Sequence, residues 1–484
     1  TRKRNEKTMA QRLAAEILAA AKEEGAAVKK RTSLFSDVSY RMYDDQRVFE
    51  KAMVSKFSFM PARPHEMRPQ PDVMEELQAA ISALLPTILP NKEFDQERES
   101  TRARLESILR VANAIPPEAT LVIFGSSRNS FGSDGADLDL SLQMKSELTT
   151  AAKEALIDAV AEALGKADML EIEARSTARV PIVMFVDPET KLHCDISCGN
   201  PLAIRNTSLL RAYGLVDKRV RELAFVVKYW ARRRQINSPQ FSTLSSYGYL
   251  LCVIHFLQTR SPPLLPNLQN IPQSWKCTDT TQGFDELMVQ GMVTPEMEAQ
   301  RMTIGTRAPI YPYFYDPGVL GTAEVQAFAS RNKQTTAELL IEFFMYFSWD
   351  FDYRASVVSI CALGKTYPDM PGVSARKKVA AVPKLVKMEM DCWPPSSKLS
   401  IEDPFETWYD VGHVIRGPSM TTTRKEFVRA FTLYTRTYEP STVDDSLPGC
   451  VDASDLLMLM CEEKEEPSRK DRSNTVTSQP EAEG

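Results

Sequence analysis

The sequence of 484 residues has no CxxC pair, and its eight cysteines are scattered along the chain. Its four histidines do not cluster with the cysteines at the spacing of zinc ligands. No run of residues approaches the ~18 uncharged apolar positions of a membrane span. These absences argue against a structural zinc site, a disulfide framework and a membrane protein. We expect reduced thiols and a cytoplasmic location, with the mitochondrion or the nucleus as alternatives.

Common nucleotide-binding and RNA-binding motifs are also absent. There is no GxxxxGK[ST] phosphate loop, no RRM or KH pattern, no C2H2 zinc finger and no internal repeat. Lys plus Arg number 59 against 64 Asp plus Glu, for a formal net charge of -5. Any surface for nucleic acid must therefore be a local patch. The first residue is Thr rather than Met, so we expect a processed or truncated chain, which leaves a lost targeting segment open.

Apolar spacing divides the chain into segments of different character. The predicted segments are an N-terminal extension over 1–70, helical or flexible; helices over 71–109 that pack on a central domain; a mixed α/β unit over 110–205; a helical domain over 206–436; and an acidic, mostly disordered tail over 437–484. Strands of the mixed unit are predicted near 120–124, 137–142, 179–186 and 191–197, with a helix near 149–165.

Negative charge is concentrated at the end of VIFGSSRNSFGSDGADLDLSL, residues 122–142. Because strand side chains alternate between two faces, Asp137 and Asp139 point to one face while Leu138 enters the core. Asp195, in KLHCDISCGN, lies on another predicted strand. Like charges held this close raise one another's pKa unless a cation lies between them. Three carboxylates on one sheet therefore predict a site for Mg2+, or Mn2+, of the kind used in nucleotidyl or phosphoryl transfer.

The turn that precedes the aspartates supports this interpretation. The GSS sequence places small residues, backbone N–H groups and the Ser126 hydroxyl where a phosphate can approach. A DxD pair by itself is more typical of a solvated turn or a structural calcium loop. The turn, the apolar residues around both aspartates and the second acidic strand together favour the catalytic alternative.

A second phosphate-binding feature is predicted on the helix RELAFVVKYWARRR. Lys228 and Arg232 stand at i and i+4, so both charged heads project together. Val220, Leu223 and Val227 can then face the core. A solvated basic face is the usual outcome for such a pair, but beside a carboxylate site we predict a clamp for a triphosphate.

Several longer segments resemble one enzyme superfamily in order and spacing. They are CGNPLAIRNTSLLRAY (198–213), VKYWARRRQINSPQFSTLSSYGYLLCVIHFLQ (227–258), ELLIEFFMYFSWDFDY (338–353) and IEDPFETWYDVGHVI (401–415). Over residues 105–435 the chain resembles the terminal uridylyltransferase and cytoplasmic poly(A) polymerase branch of the DNA-polymerase-β-type nucleotidyltransferases. The resemblance implies a bilobal α+β fold. A small mixed β-sheet nucleotidyltransferase domain with helices would face a mainly helical central, PAP-associated domain, with the active site in the cleft between them.

The resemblance also implies a role for each candidate residue. Asp137, Asp139 and Asp195 would be the catalytic residues and the metal ligands, with Asp195 nearest the terminal hydroxyl of the RNA. The implied nucleotide contacts are Gly125 and Ser126 to the triphosphate, Asn206 and Thr207 near the ribose, Lys228, Arg232 and Ser246 to phosphates, and Tyr247 stacked on the base. From the residues alone, Tyr247 would instead be a core residue.

Selection of the base is predicted to depend on IEDPFETWYDVGHV. Asp403 and Glu406 match acidic residues that organise contacts to uracil in uridylyltransferases. Tyr409 replaces a histidine that some of these enzymes associate with UTP preference, and His413 replaces a common arginine. A bulky Tyr409 would narrow the cleft and so disfavour a purine. Alternatively, Tyr409 is a packing residue at the start of a helix.

We therefore predict a Mg2+-dependent RNA uridylyltransferase that extends RNA 3′ ends with UMP. The alternatives are a poly(A) polymerase that uses ATP, a tailing enzyme of mixed specificity, and an inactive RNA-binding scaffold. The expected partners are UTP or ATP, a single-stranded RNA 3′ end, and proteins that recruit RNA to a monomeric catalytic unit. Candidate contacts to the RNA backbone are Arg128, Arg179, Lys218, Arg233, Arg234 and the basic run 375–387.

Overall fold

The computed structural model describes residues 71–144, 148–269, 314–353, 356–361, 382–383, 387, 393, 399–435 and 453–463. The predicted N-terminal extension and most of the basic run 375–387 lie outside the described residues. The described chain forms two lobes, each around its own hydrophobic core. One core lies against a five-stranded sheet and the other lies among helices. This confirms the predicted bilobal α+β architecture.

Two helices begin the described chain. Helix α1, Pro71–Ile88, buries Leu77 and Ile81 at helical spacing in the core of the helical lobe. Helix α2, Phe94–Val111, buries Leu105 in the core of the sheet lobe. Both helices were expected to pack on the central domain. Helix α2 packs on the sheet instead, because its apolar stripe faces the strand that follows it.

The sheet lobe contains five strands and a covering helix. Their bounds are β1 Thr120–Ile123, β2 Leu138–Gln143, α3 Thr150–Lys166, β3 Leu170–Arg175, β4 Ile182–Val186 and β5 His193–Cys198. The strand order is β1-β2-β5-β4-β3, with β2 and β5 parallel and the other pairs antiparallel. The sheet is therefore mixed, as the resemblance implied. Helix α3 packs against β3, β4 and β5.

Strand β3 was not expected from the sequence. Its residues, LEIEAR, are exposed except for a half-buried Ile172. It is the edge strand next to β4, so solvent reaches most of its surface. Leu170, Ile172 and Ala174 do alternate with charged residues, but Leu, Glu, Ala and Arg are also strong helix formers, so a short run of this composition is typical of either element.

The second lobe is mainly helical. Its elements are α4 Pro201–Val216, α5 Lys218–Arg233, α6 Ser246–Thr259, α7 Pro317–Leu320, α8 Ala323–Ala329, α9 Thr336–Met345, β6 Ser356–Val357, β7 Val382–Pro383, α10 Gly417–Thr435 and α11 Ala453–Met460. Trp230 of α5 is fully buried, with its ring centroid 4.8 Å from that of Phe344 and 5.2 Å from that of Phe427. Helices α5, α9 and α10 therefore share one aromatic core. Within the described residues, no helix is both long enough and apolar enough to cross a membrane.

Helix α11 lies within the segment that was predicted to be a mostly disordered tail. Leu457, Met460 and Cys461 are buried, and the helix packs against α1. Arginine side chains donate hydrogen bonds to carbonyl oxygens at its C-terminal end: Arg429 to Leu459 at 2.8 Å, Arg233 to Cys461 at 3.0 Å and Arg234 to Glu462 at 2.7 Å. The apolar run LLMLM explains why this part of an otherwise polar tail is ordered.

Candidate active site between the two lobes

The parallel pairing of β2 with β5 brings the predicted aspartates together. Asp139 lies directly opposite Asp195 in the strand register. Asp137 precedes β2 by one residue and is exposed. Leu138 and Cys194, which pair one position earlier, are fully buried on the opposite face. The alternation of side chains therefore places the carboxylates on the face away from the sheet core.

Charge and burial both act on these carboxylates. Burial, then the neighbouring charges of Asp195 and Asp137, raise the pKa of Asp139 to about 7. Burial and the charge of Asp137 raise the pKa of Asp195, while His193 and Arg175 lower it. A divalent cation would remove this repulsion, so the donor set fits Mg2+ or Mn2+.

The carboxylates do not form a complete metal cage. Among the residues that the structure describes, no group of three or more His, Cys, Asp or Glu side chains is gathered tightly enough to hold a metal ion by itself. Magnesium sites often use one or two carboxylates, with waters and substrate phosphates as the remaining ligands. An arrangement that is open in this way fits an ion shared with a bound triphosphate.

The turn Gly125–Ser127 lies directly against Asp139. Gly125 has a φ of +67°, and a Cβ atom at this position would lie 2.0 Å from Asp139 Oδ2. The backbone amide of Ser126 acts to lower the pKa of the Asp139 carboxylate, against the net rise. The turn and the acidic strand are therefore one unit, in which a phosphate bound at the turn would adjoin the carboxylates.

Thr207 holds the same turn from helix α4. Its hydroxyl accepts a hydrogen bond from the Gly125 N–H at 2.8 Å and donates one to the Ala203 carbonyl at 2.8 Å. The side chain is buried. Its contact with a ribose stays a prediction, while the structure gives it a role in fixing the turn.

The two cations of the predicted clamp differ in environment. Lys228 is largely buried and donates a hydrogen bond to the Phe131 carbonyl, in the loop that joins the turn to Asp137. Burial, followed by the charge of Arg232, lowers the pKa of Lys228 to about 8. Arg232 is exposed at the end of α5. The two cations share one helix, but only Lys228 contacts the loop between the turn and Asp137.

Helices α4 and α6 meet the segment 399–411 at a polar cluster. The Tyr247 hydroxyl lies 2.9 Å from Asp403 Oδ2 and 3.3 Å from Asn206 Oδ1. Asn206 Nδ2 lies 3.5 Å from the same Asp403 oxygen. Ser246 begins α6, and its hydroxyl accepts a hydrogen bond from Asn237 at 2.9 Å. The structure thus brings together Asn206, Tyr247 and Asp403, which are far apart in sequence.

The other residues of the predicted base site surround Asp403. Its Oδ1 accepts hydrogen bonds from the backbone N–H groups of Phe405 and Glu406, at 3.0 and 2.9 Å. Glu406 receives both carboxylate contacts from Arg179 Nη2 of the sheet lobe, at 2.8 and 3.1 Å. Tyr409 is 38% exposed, and its ring centroid lies 5.2 Å from that of His413. Tyr409 is therefore accessible to a ligand.

Some predicted RNA contacts face inward. Arg234 is buried and makes a two-point ion pair with Glu426, at 2.8 and 3.1 Å. Lys387 is buried against Glu402. Their assignment as RNA contacts was wrong, because a run of basic residues in sequence does not show which of them have acidic partners. Arg128 and Lys218 are exposed and stay candidates.

Comparison with known proteins places this architecture in a family. The model for the central palm domain of mitochondrial-like poly(A) RNA polymerase matches residues 77–215, and the model "Cid1 family poly A polymerase" matches residues 335–408. The chain is 30% identical over 349 residues to the terminal uridylyltransferase cid1 of Schizosaccharomyces pombe, a match that spans 69% of this chain and 74% of cid1. The chain belongs to the Cid1 family. It is a terminal nucleotidyltransferase of the Cid1/GLD2 type.

Relatives that are named as poly(A) polymerases match this chain at a similar sequence identity. The poly(A) RNA polymerase GLD2 of Danio rerio is 32% identical over 275 residues, with 56% of this chain and 49% of GLD2 covered. The chain therefore spans about half the length of that relative. A solved structure of a cytoplasmic RNA terminal U-transferase is 26% identical with a TM-score of 0.56, covering 81% of this chain and 100% of that one. A further model, ribosomal protein S7p/S5e, matches residues 1–35, outside the described residues.

Sequence reasoning missed Arg98, which contacts the loop before Asp137 and belongs to no motif of the sequence analysis. Lys387 was predicted to contact RNA, and it contacts instead the segment that carries Asp403. An arginine or lysine within an amphipathic or basic stretch gives no sequence signal of burial, so only the folded chain reveals these contacts.

Proposed function

We propose that this protein adds UMP from UTP to the 3′ hydroxyl of single-stranded RNA, without a template and with release of pyrophosphate. Mg2+ is the proposed cofactor, with Mn2+ as a substitute. The observation that carries the proposal is the register of Asp139 against Asp195 beside the turn at Gly125. This arrangement combines acidic oxygen donors with a phosphate-binding turn, which nucleotidyl transfer requires.

Different residues of the chain would bind the triphosphate, the ribose and the base of the nucleotide. Ser126, Lys228 and Arg232 would hold the triphosphate, and Asn206 would contact the ribose. Tyr247 would stack on the base, with its hydroxyl fixed by Asp403. When bound, a divalent metal ion would neutralise negative charge on the triphosphate and make the attacking hydroxyl oxygen a better nucleophile.

Asp195 would orient the terminal hydroxyl of the RNA. Its carboxylate lies directly opposite Asp139 in the strand register, which places it at the proposed reaction centre. Arg179 approaches Glu406 across the cleft, so the base would be enclosed by both lobes.

The choice of UTP over ATP rests on the shape of the pocket. The carboxylates of Asp403 and Glu406 accept hydrogen bonds, and both uracil N3–H and the adenine amino group can donate one. The bulky, partly exposed Tyr409 would leave less room for adenine than for uracil, which is the smaller base. The cid1 relative is named a uridylyltransferase, and a related Cid1 structure contains the UTP analogue UMPNPP. The GLD2 relatives are named poly(A) polymerases, so ATP is the second candidate.

The deciding experiment supplies one nucleotide at a time. Purified protein, labelled single-stranded RNA and Mg2+ are incubated with UTP, ATP, CTP or GTP separately, and single additions are quantified. We expect the highest kcat/KM with UTP. A preference for ATP would support the poly(A) alternative, and no addition with any nucleotide would support the scaffold alternative.

Aspartate variants provide the matched control for this assay. Asp137→Ala, Asp139→Ala and Asp195→Ala should each reduce extension by about 10³-fold or more, because each removes an oxygen donor from the reaction centre. Circular dichroism would establish that the variants are folded. Near-normal extension by folded Asp139→Ala protein would contradict the proposed mechanism.

A further inference from the structure

The loop at residues 128–136 joins the turn Gly125–Ser127, the phosphate turn, to Asp137, and cations from helices α2 and α5 hold its carbonyl groups. We call these residues the connecting loop. Lys228 donates to the Phe131 carbonyl, and Arg221 Nε donates to the Ser130 carbonyl at 3.1 Å. Phe131 itself is buried in the core of the helical lobe. The loop therefore depends on contacts from outside the sheet to keep its shape.

Arg98 of helix α2 holds both ends of this region. Its Nε donates a hydrogen bond to Ser127 Oγ at 3.0 Å, and its Nη2 donates to the carbonyl oxygens of Asp134 and Ala136, at 3.2 and 2.9 Å. Ser127 Oγ in turn donates to the Asp137 carbonyl at 3.0 Å. Arg98 is only 1% exposed. One guanidinium group thus links the residue after Ser126 to the backbone of the first aspartate.

Packing reinforces these hydrogen bonds. The Arg98 guanidinium carbon lies 3.6 Å from the centroid of the Phe94 ring. A Cβ atom added to Gly132 would lie 2.7 Å from Phe94 Cζ and 2.5 Å from the Ser126 carbonyl oxygen. The connecting loop therefore folds closely over Phe94 and Ser126, with Arg98 against the same ring. This close approach leaves the loop little freedom to move independently of Arg98.

We propose that Arg98 is a positioning residue that sets the distance between the phosphate turn and Asp137. This inference rests on the proposed metal-dependent nucleotidyl transfer. Arg98 is buried, and it acts through Ser127 and the carbonyl groups before Asp137. Its planar guanidinium can donate to three separate acceptors at once, which a lysine ammonium on a flexible stem does not reproduce.

The test measures metal binding directly, without RNA and with one equivalent of the UTP analogue UMPNPP, whose phosphates supply the metal ligands that the carboxylates leave open. Binding of Mn2+ to the full chain is titrated by electron paramagnetic resonance for wild type, Arg98→Met and Arg98→Lys. We expect Arg98→Met to weaken Mn2+ binding by about 10-fold or more, since groups that orient metal ligands typically contribute 10- to 100-fold to affinity. Arg98→Lys should show an intermediate loss.

Arg104→Met is the matched control. Arg104 lies on the same helix and pairs with the buried carboxylate of Asp187, away from the connecting loop. Its loss should lower thermal stability but leave the Mn2+ affinity of the folded protein unchanged. A purely structural role for Arg98 would give this same pattern in Arg98→Met and would overturn the inference.

A second variant keeps the test decisive if Arg98→Met does not fold. Gly132→Ala retains Arg98 but displaces the loop from Ser126 and Phe94, so it should weaken Mn2+ binding in the same way. Wild-type Mn2+ affinity in Gly132→Ala would contradict the inference. Failure of the proposed function would appear differently, as Mn2+ binding and RNA extension that survive in Asp139→Ala.

Discussion

At the scale of single residues, Gly125 lies where the phosphate turn touches the carboxylate of Asp139. Two independent observations oppose any side chain there: the positive φ, and the distance of only 2.0 Å that would separate an added Cβ atom from Asp139 Oδ2. Gly125→Ala should therefore displace the turn or the carboxylate and reduce nucleotide addition by about 100-fold or more. Single-nucleotide addition to labelled RNA measures this effect.

Gly165→Ala is the control for that substitution. Gly165 lies near the end of α3, and an added Cβ would lie 3.8 Å from Ile172, an ordinary contact distance. This variant should leave activity unchanged and stabilise the helix by up to about 1 kcal/mol. Equal activity of the two alanine variants would show that the turn tolerates a side chain.

Tyr409 is expected to affect the selectivity between UTP and ATP, and Tyr247 the overall efficiency of nucleotide addition. Tyr409 is 38% exposed, whereas the Tyr247 hydroxyl is held by its hydrogen bond to Asp403 at 2.9 Å. Tyr409→Ala should raise the use of ATP relative to UTP by several-fold, equivalent to about 1 kcal/mol, because it opens room for a purine. Tyr247→Ala should reduce the use of both, since stacking does not depend on base identity. Paired kcat/KM measurements test this, and an unchanged ratio in Tyr409→Ala would identify a packing residue.

At the scale of elements, the segment 399–411 is held from outside by two side chains. Lys387 pairs with the buried carboxylate of Glu402 and donates to the Thr407 carbonyl at 3.0 Å. Trp393 Nε1 donates to the Trp408 carbonyl at 2.7 Å. Consecutive carbonyl groups of the base-site segment are therefore anchored by these two residues.

Removal of the Lys387 charge tests this anchor. Lys387→Met leaves Glu402 buried without its ammonium partner, so we expect a loss of about 3–5 kcal/mol in the free energy of unfolding. The double variant Lys387→Met/Glu402→Gln should lose much less, because no buried charge remains. Urea denaturation measures both, and equal losses in the two variants would contradict an ion-pair role.

At the scale of the whole molecule, helix α11 closes the core of the helical lobe. Leu457 and Met460 are buried, and the helix packs against α1 at the other end of the described chain. Truncation after residue 452 should lower the free energy of unfolding by about 3–5 kcal/mol, since each large apolar side chain contributes roughly 1.5–3 kcal/mol. Truncation after residue 463 is the control and should leave stability unchanged. Equal thermal midpoints for the two truncations would show that α11 does not stabilise the lobe.

Much of the fold and of the acidic site follows from local patterns. The alternation around Asp137 and Asp139, the spacing of Lys228 and Arg232, and the succession of strands and helices are visible in the sequence. Strand β3 was missed although its apolar and charged residues alternate, because the same short run is rich in helix formers and only the fold places it at the edge of the sheet. The ordered helix α11 was also missed, because a short apolar run within a polar tail gives no sign of the surface that will cover it.

The sequence by itself determined which residues share a strand face or a helix face, because backbone geometry sets those periods locally. Only the tertiary structure decided that Asp139 lies opposite Asp195, that Arg98 reaches the loop before Asp137, and that Arg234 faces Glu426 rather than solvent. The reason is physical: the partner of a charged side chain depends on how distant segments pack. A buried charge needs a partner of opposite charge, and the local sequence pattern does not show which distant residue will be that partner.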